Sequence, residues 1–371
     1  MNTLPRRMPL VDALKALASQ LIVLHHFSAY GPLADALDDL VPALAGWLFD
    51  YGRMAVQIFL VVGGFLAARS LAPQGQAAFA RPLALLWQRY RRLVLPFAAA
   101  MLLAVLCATL ARIWLDDEAV PGRASLAQFL AHALLLQGLT HAEALSAGVW
   151  YVAIDFQLFA LLTLLLWAAR QAGRQHAARL GVVLVGGLAL ASLFHFNRDA
   201  AWDDWALYFF GSYALGATTW WAAQPGQRAR WMLLIWAVGL AALAADFRPR
   251  IALALAVAVL LGVARRAGAL ERWPDLRPVA FLARISYAVF LVHFPVYLLV
   301  SAAFEHFGSE SSGVAALALA IGWCASIAAG VAFHRGVELR AAGGAAQRLR
   351  TTMPTSAAMP VCCVPSRSSA S

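Results

Sequence analysis

The chain reads as an all-α integral membrane protein, a bundle of about ten transmembrane helices with both termini on the cytosolic side. Three observations carry that expectation. Of 371 residues, 62% are hydrophobic and only 13% charged, with a mean hydropathy of +0.70, which is more apolar surface than a soluble core can hide. Apolar stretches long enough to cross a bilayer as helices recur along the chain. Lys and Arg alternate between two sets of loops, as the positive-inside rule requires.

In order, the spans are expected at 10–28, 54–70, 93–115, 148–169, 180–196, 204–223, 230–246, 250–264, 280–303 and 313–334. With the first entering from the cytosol, only Arg53, Arg112, Arg123, Arg198, Arg248 and Arg250 of the 29 Lys and Arg fall on the outer side. A wrong helix count would scramble this alternation, so an even number of spans is expected. The formal charge of +10 is then mostly topology. A nucleic-acid surface is the weaker reading, because the charges are dispersed over short loops, and no nucleic-acid partner is expected.

The first apolar segment carries His and Asp and lacks a small-residue cleavage pattern, so it is expected to stay as a helix. The four cysteines give no disulfide framework. Residues 1–340 read as one transmembrane domain, and 341–371, with a Ser/Pro-rich end holding Cys362 and Cys363, as a disordered cytosolic tail. The longest outer segment, 116–147, contains the amphipathic stretch Ser125 to Leu136, suited to lying on the membrane surface or capping a cavity.

Chemistry is concentrated in a few of these spans. The first reads Leu10-Val-Asp-Ala-Leu-Lys-Ala-Leu-Ala-Ser-Gln-Leu-Ile-Val-Leu-His-His-Phe27, placing Asp12, Lys15, His25 and His26 in one helix. Ionisable groups inside a membrane are expensive and usually functional. An imidazole near the outer end suits a general base for a hydroxyl, since its ordinary pKa lies near neutrality; the alternative is a hydrogen bond to another helix. Helix rise puts roughly 16 Å between Lys15 and His26. The second span closes Val56-Gln-Ile-Phe-Leu-Val-Val-Gly-Gly-Phe-Leu66, where Gly63 and Gly64 suit close helix packing.

Before the third span, Trp87-Gln-Arg-Tyr-Arg-Arg-Leu-Val-Leu-Pro96 sets Arg89 and Arg92 at a cytosolic helix start. Guanidiniums there suit phosphate groups, through a bidentate fork and the helix dipole; topogenic charge is the alternative. The fourth begins Gly148-Val-Trp-Tyr-Val-Ala-Ile-Asp-Phe-Gln-Leu-Phe159, with Asp155 roughly 7 Å along the helix from Trp150. That carboxylate suits orienting His26 or placing a hydroxyl, or a structural hydrogen bond. The ninth contains Ile285-Ser-Tyr-Ala-Val-Phe-Leu-Val-His-Phe-Pro295, in which the proline should bend the helix and free a carbonyl near His293. The last ends His334-Arg-Gly-Val-Glu338.

Taken in order from residue 12 to 338, these elements resemble the membrane acyltransferase-3 family. Asp12, a basic residue three further on and His26 fourteen after the Asp follow its opening pattern; Arg89 and Arg92 follow its R-x-x-R element. Trp150, Asp155 and Phe159 follow its Trp-acid-aromatic pattern, and 286–295 its S-Y-x-x-[FY]-L-x-H-x-P signature. Lys15 stands where Arg is usual, Gly63 where Ser is common and Asp155 where Glu is commoner; Glu338 lacks the usual following Pro.

The resemblance implies O-acyl transfer from cytosolic acyl-CoA, most often acetyl-CoA, as donor co-substrate and with no metal. The acceptor would be a hydroxyl of an extracytoplasmic glycan or lipid-linked sugar at a bacterial inner membrane. His26 would be the base, with His25 and Asp155 beside it, and a transient acyl-histidine stays open. Arg89, Arg92 and Lys15 would hold the donor's phosphates. Asp12, Trp150, Ser286, Tyr287, His293 and Glu338 would bind substrate or support the site. Membrane lipids surround such a protein, and a separate envelope-biosynthesis partner is compatible with a chain that carries only the membrane part. Two other readings remain: a glycan exporter, which would leave the arginines unexplained and lacks paired repeat halves, and an inert scaffold of an envelope complex.

Overall fold

The structure, a computed structural model, describes residues 7–308 and 311–341. The expected disordered tail, with Cys362 and Cys363, lies outside the described residues apart from its first position. Among the described residues there are helices and no strands. They run α1 Pro9–Phe27, α2 Gly31–Leu40, α3 Pro42–Tyr51, α4 Val56–Leu71, α5 Pro82–Ala111, α6 Leu126–Ala133 and α7 Trp150–Gln171. The remainder are α8 Arg174–Phe194, α9 Ala206–Ala222, α10 Arg230–Ala245, α11 Pro249–Arg266, α12 Ala269–Arg272, α13 Arg277–Phe307 and α14 Ser312–Phe333.

Each stretch expected to span is helical, and among the described residues seven helices are long and apolar enough to cross a membrane: 9–27, 42–71, 82–111, 150–171, 175–198, 277–307 and 312–341. The remaining three expected positions are held by α9, α10 and α11, of 17, 16 and 18 residues. Prolines start many of these elements. α1, α2, α3, α5, α11 and α13 all carry Pro in their first two positions, where its fixed φ fits and its missing N–H is not needed.

Two boundaries differ from expectation. The second span starts at α3 and passes through a 3-10 turn, Gly52–Ala55, into α4. α5 begins at Pro82, eleven residues before the expected 93, so Arg89 and Arg92 lie within the helix and not ahead of it. The hydropathy pattern marks where side chains turn apolar, whereas the helix starts where Pro82 and the helix-forming Leu-Ala-Leu-Leu after it allow.

α4 and α9 form the tightest contact. A Cβ on Gly64 would stand 1.9 Å from the Tyr213 carbonyl oxygen, and one on Gly216 the same distance from that of Val61. Only glycine lets two helix backbones approach so closely. α1 lies against α13, which also packs on α5 and α14, while α7 joins α5, α8 and α9. The outward face of α5 carries exposed Leu102, Leu106 and Leu110 at four-residue spacing, the apolar stripe a lipid-facing helix presents.

The segment from Ser125 to Val149 is anchored to the bundle by a few buried residues, while Leu126, Leu130 and Leu134 of its amphipathic stretch stay exposed. α6 is started by a capping box between Ser125 and Gln128, and Leu135, Leu145 and Val149 are buried in the main core. His132 is also buried. Its Nδ1 donates to the Gln128 carbonyl at 2.8 Å, and its Nε2 accepts from the Leu145 N–H at 3.3 Å.

Candidate functional site

α1 and α13 run side by side from a common end, where Arg7 bridges Asp12 and Asp275 at 2.9 Å each. Counted from there, His26 and His293 both stand about 25 Å along their helices. They meet: His26 Nδ1 is 2.6 Å from His293 Nε2, with the rings stacked at 4.9 Å. Both side chains are almost wholly buried, and Tyr30 and Phe294 close the ring of aromatic neighbours.

Hydrogen-bond partners assign the protons. His293 Nδ1 is 2.9 Å from the Val289 carbonyl, an acceptor only, so Nδ1 carries the hydrogen and Nε2 is a bare acceptor in the neutral ring. His26 must then donate from Nδ1, which leaves its Nε2 lone pair uncommitted. That nitrogen is free to accept a proton, and the bond to His293 fixes the tautomer. The adjacent His25 is occupied differently, since its Nδ1 donates to the Leu48 carbonyl at 3.0 Å and ties α1 to α3. Gly148, with φ +77°, lies against His26, and a Cβ there would stand 3.3 Å from His26 Cε1.

Asp155 is engaged elsewhere. Its Oδ2 accepts from Arg89 Nη2 at 2.6 Å, so the side chain that orients His26 is His293. The Arg89 guanidinium also lies 4.9 Å over the Phe159 ring, while its Nε has no hydrogen-bond partner among the described residues. Tyr151, Tyr213 and Tyr287 are within electrostatic reach of Asp155, and a Cβ on Gly63 would come within 3.8 Å of its Oδ1. Two elements read separately in the sequence, the third-span arginine and the fourth-span acid, are therefore one ion pair in the middle of the bundle.

Lys15 is half-buried and Arg92 exposed, and neither has a hydrogen bond or ion pair among the described residues. Asp12 pairs with Arg7. Ser286 donates to the Ala283 carbonyl, Tyr287 to the Leu93 carbonyl, and Glu338 pairs with His334 in a π-helical turn ending α14. Trp150 stacks on Phe209. Among the described residues no group of three His, Cys, Asp or Glu side chains gathers as a metal site. Sequence reasoning missed the His26–His293 bond, made across 267 positions, and the acidic pair Asp203-Asp204, whose signal was a double acid between two tryptophans.

The fold and site define a bundle of apolar helices that buries two hydrogen-bonded imidazoles, His26 and His293, between α1 and α13. The chain belongs to the acyltransferase-3 family: the family's sequence profile, described as an acyltransferase domain, matches residues 9–333. Comparison with curated proteins and with solved structures found no match.

Proposed function

We propose that the protein transfers an acyl group, with acetyl as the first candidate, from cytosolic acyl-CoA to a hydroxyl of an extracytoplasmic glycan or lipid-linked sugar. The observation that supports this reading most is the proton chain from His26 through His293 to the Val289 carbonyl. His26 Nε2 takes the acceptor's hydroxyl proton as the oxygen attacks the thioester carbonyl. The imidazolium that forms keeps its Nδ1 hydrogen on His293. When the tetrahedral intermediate collapses, the C–S bond breaks and His26 returns the proton to the departing thiolate.

The donor's phosphates are assigned to Arg92 and Lys15, cations of α5 and α1 that, like the neighbouring Arg91, have no protein partner among the described residues. Arg89, closed on Asp155, serves the donor only where it shares that carboxylate with an incoming anion. With roughly 16 Å from Lys15 to His26 along α1, a pantetheine arm extended through the bundle delivers the thioester while the nucleotide end stays in the cytosol. Both chain ends on the cytosolic side, ten spans and a bacterial inner membrane complete the proposal.

The test is release of free thiol from acetyl-CoA by purified protein in nanodiscs with a glycan acceptor. His26→Ala should abolish release while abundance and melting temperature hold, and Arg92→Ala should raise KM for acetyl-CoA with little change in kcat. Thiol release retained by His26→Ala would remove that histidine from the reaction. Glycan export that needs the chain but no acyl-CoA would favour a transporter.

A further inference from the structure

Two residues along the chain from Gly148, which touches His26, Trp150 forms one wall of a recess of about 300 Å³. Gly138, Gln157, Asp203, Asp204 and Phe209 share its lining. The Trp150 and Phe209 rings stack at 5.4 Å with 27° between their planes, and Trp150 is 39% exposed, so an indole face is available to a ligand. The polar groups of the lining are mostly acceptors. Asp204 faces the exposed His141 at 3.7 Å. Gln157 Oε1 accepts from the Ala206 N–H at 3.2 Å, and its amide NH2 has no partner among the described residues.

Next to this lining, and outside it, lies a buried polar atom without a partner among the described residues. Gln137, 3% exposed, precedes Gly138 in the lining; its Nε2 donates to the Val149 carbonyl at 3.3 Å, while its Oε1 is unsatisfied. Buried acceptors left unpaired are costly, and this one stands beside the turn that carries Trp150. Arg250 is the cation within electrostatic reach of Asp203. It is committed to the Tyr208 ring at 4.6 Å and the Asn197 carbonyl at 3.1 Å, and is not part of the lining.

We infer that this recess is the acceptor subsite and takes a single neutral or amine-bearing pyranose ring, with acidic sugars excluded. The inference rests on the reading of the protein as a hydroxyl acyltransferase. An indole face suits the C–H face of a pyranose; carboxylates and amide oxygens accept from hydroxyl or ammonium donors; and the same two carboxylates repel a uronate, sialate or phosphate. The volume is at the lower end for ligand clefts, which fits one ring.

Saturation-transfer NMR on the full chain in nanodiscs, without donor, tests this with three probes: methyl glucoside, glucosamine and glucuronate. Methyl glucoside and glucosamine should give signals that Trp150→Ala removes, and glucuronate none. Asp203→Asn/Asp204→Asn should weaken glucosamine by about tenfold or more, the loss of a charge-assisted contact, and admit glucuronate. Variants whose melting temperature matches the wild type are compared. Glucuronate bound as well as the neutral probe by wild type, probe signals indifferent to Trp150→Ala, or no sugar signal at all would each overturn the assignment. Thiol release with a hydroxyl acceptor under those outcomes leaves the transferase reading standing, whereas sugar binding without any thiol release keeps the recess and removes the transferase.

Discussion

Replacing His293 by Ala withdraws the acceptor of the 2.6 Å hydrogen bond from His26 without touching the base itself. In the transition state that bond is made to an imidazolium. A hydrogen bond to a charged group contributes about 1.5–3 kcal/mol, and about 1.4 kcal/mol of barrier is tenfold in rate, so kcat should fall about 10- to 150-fold. KM for acetyl-CoA should hold, because the cations assigned to the donor lie toward the other end of α1 and α5. Thiol release from acetyl-CoA under saturating acceptor reads both constants. His293→Gln offers a side-chain carbonyl to the His26 Nδ1 hydrogen and should recover most of the loss, whereas His293→Met, which fills a similar volume without that acceptor, should not; equal recovery by both would indicate a mere packing role. A folded His293→Ala protein with wild-type kcat would refute the relay.

Gly64→Ala puts a Cβ 1.9 Å from the Tyr213 carbonyl oxygen and should destabilise the bundle by about 3 kcal/mol, seen as a lower melting temperature in detergent. Gly63→Ser, whose Cβ stands 3.2 Å from Tyr213 Cε2, should melt close to wild type. Asp155→Asn leaves the Arg89 charge without its counterion and should cost about 3 kcal/mol, most of it recovered in Arg89→Met/Asp155→Leu; a double variant no more stable than the single would show that the pair is not coupled. Burial pushes the His132 imidazole below its ordinary value, with the Gln128 hydrogen bond opposing. The folded state therefore holds fewer protons there than the unfolded one, and its contribution to stability is present above about pH 6.5 and fades below it. Protonation would also cancel the acceptor that Nε2 offers Leu145, so hydrogen-exchange protection factors across 125–149, taken relative to the base-catalysed intrinsic rate at each pH, should fall as the pH drops from about 7.5 to about 5.5 in wild type and not in His132→Gln.

The helices were readable because lipid demands long apolar segments and prolines mark their starts. α5 was misplaced at its start because its first turns, with Trp87, Gln88 and Arg89, are amphipathic and fall below a hydropathy threshold while still being good helix. His26 and His293 were each visible, the first as an ionisable group in a span and the second in its signature before Pro295, yet no local pattern links them. Arg89 shows the same limit more sharply: an arginine at a helix start suits phosphate, topology or a buried counterion equally well, and only the packing of α5 on α7 selects Asp155. The acids at 203 and 204 stood out between tryptophans but acquire meaning only from Trp150 and Phe209, which other elements supply.

A base backed by a second neutral imidazole, with no carboxylate behind it, has a consequence for energetics across the membrane. In the proposed reaction the hydroxyl hydrogen from the outer side ends on the thiol released inside, while the acyl group goes the other way. Formally an acylium leaves the cytosol and a proton enters, so the charge carried across per turnover is zero. Acylation on this scheme draws its driving force from the thioester alone and proceeds at the same equilibrium on a polarised or a depolarised membrane.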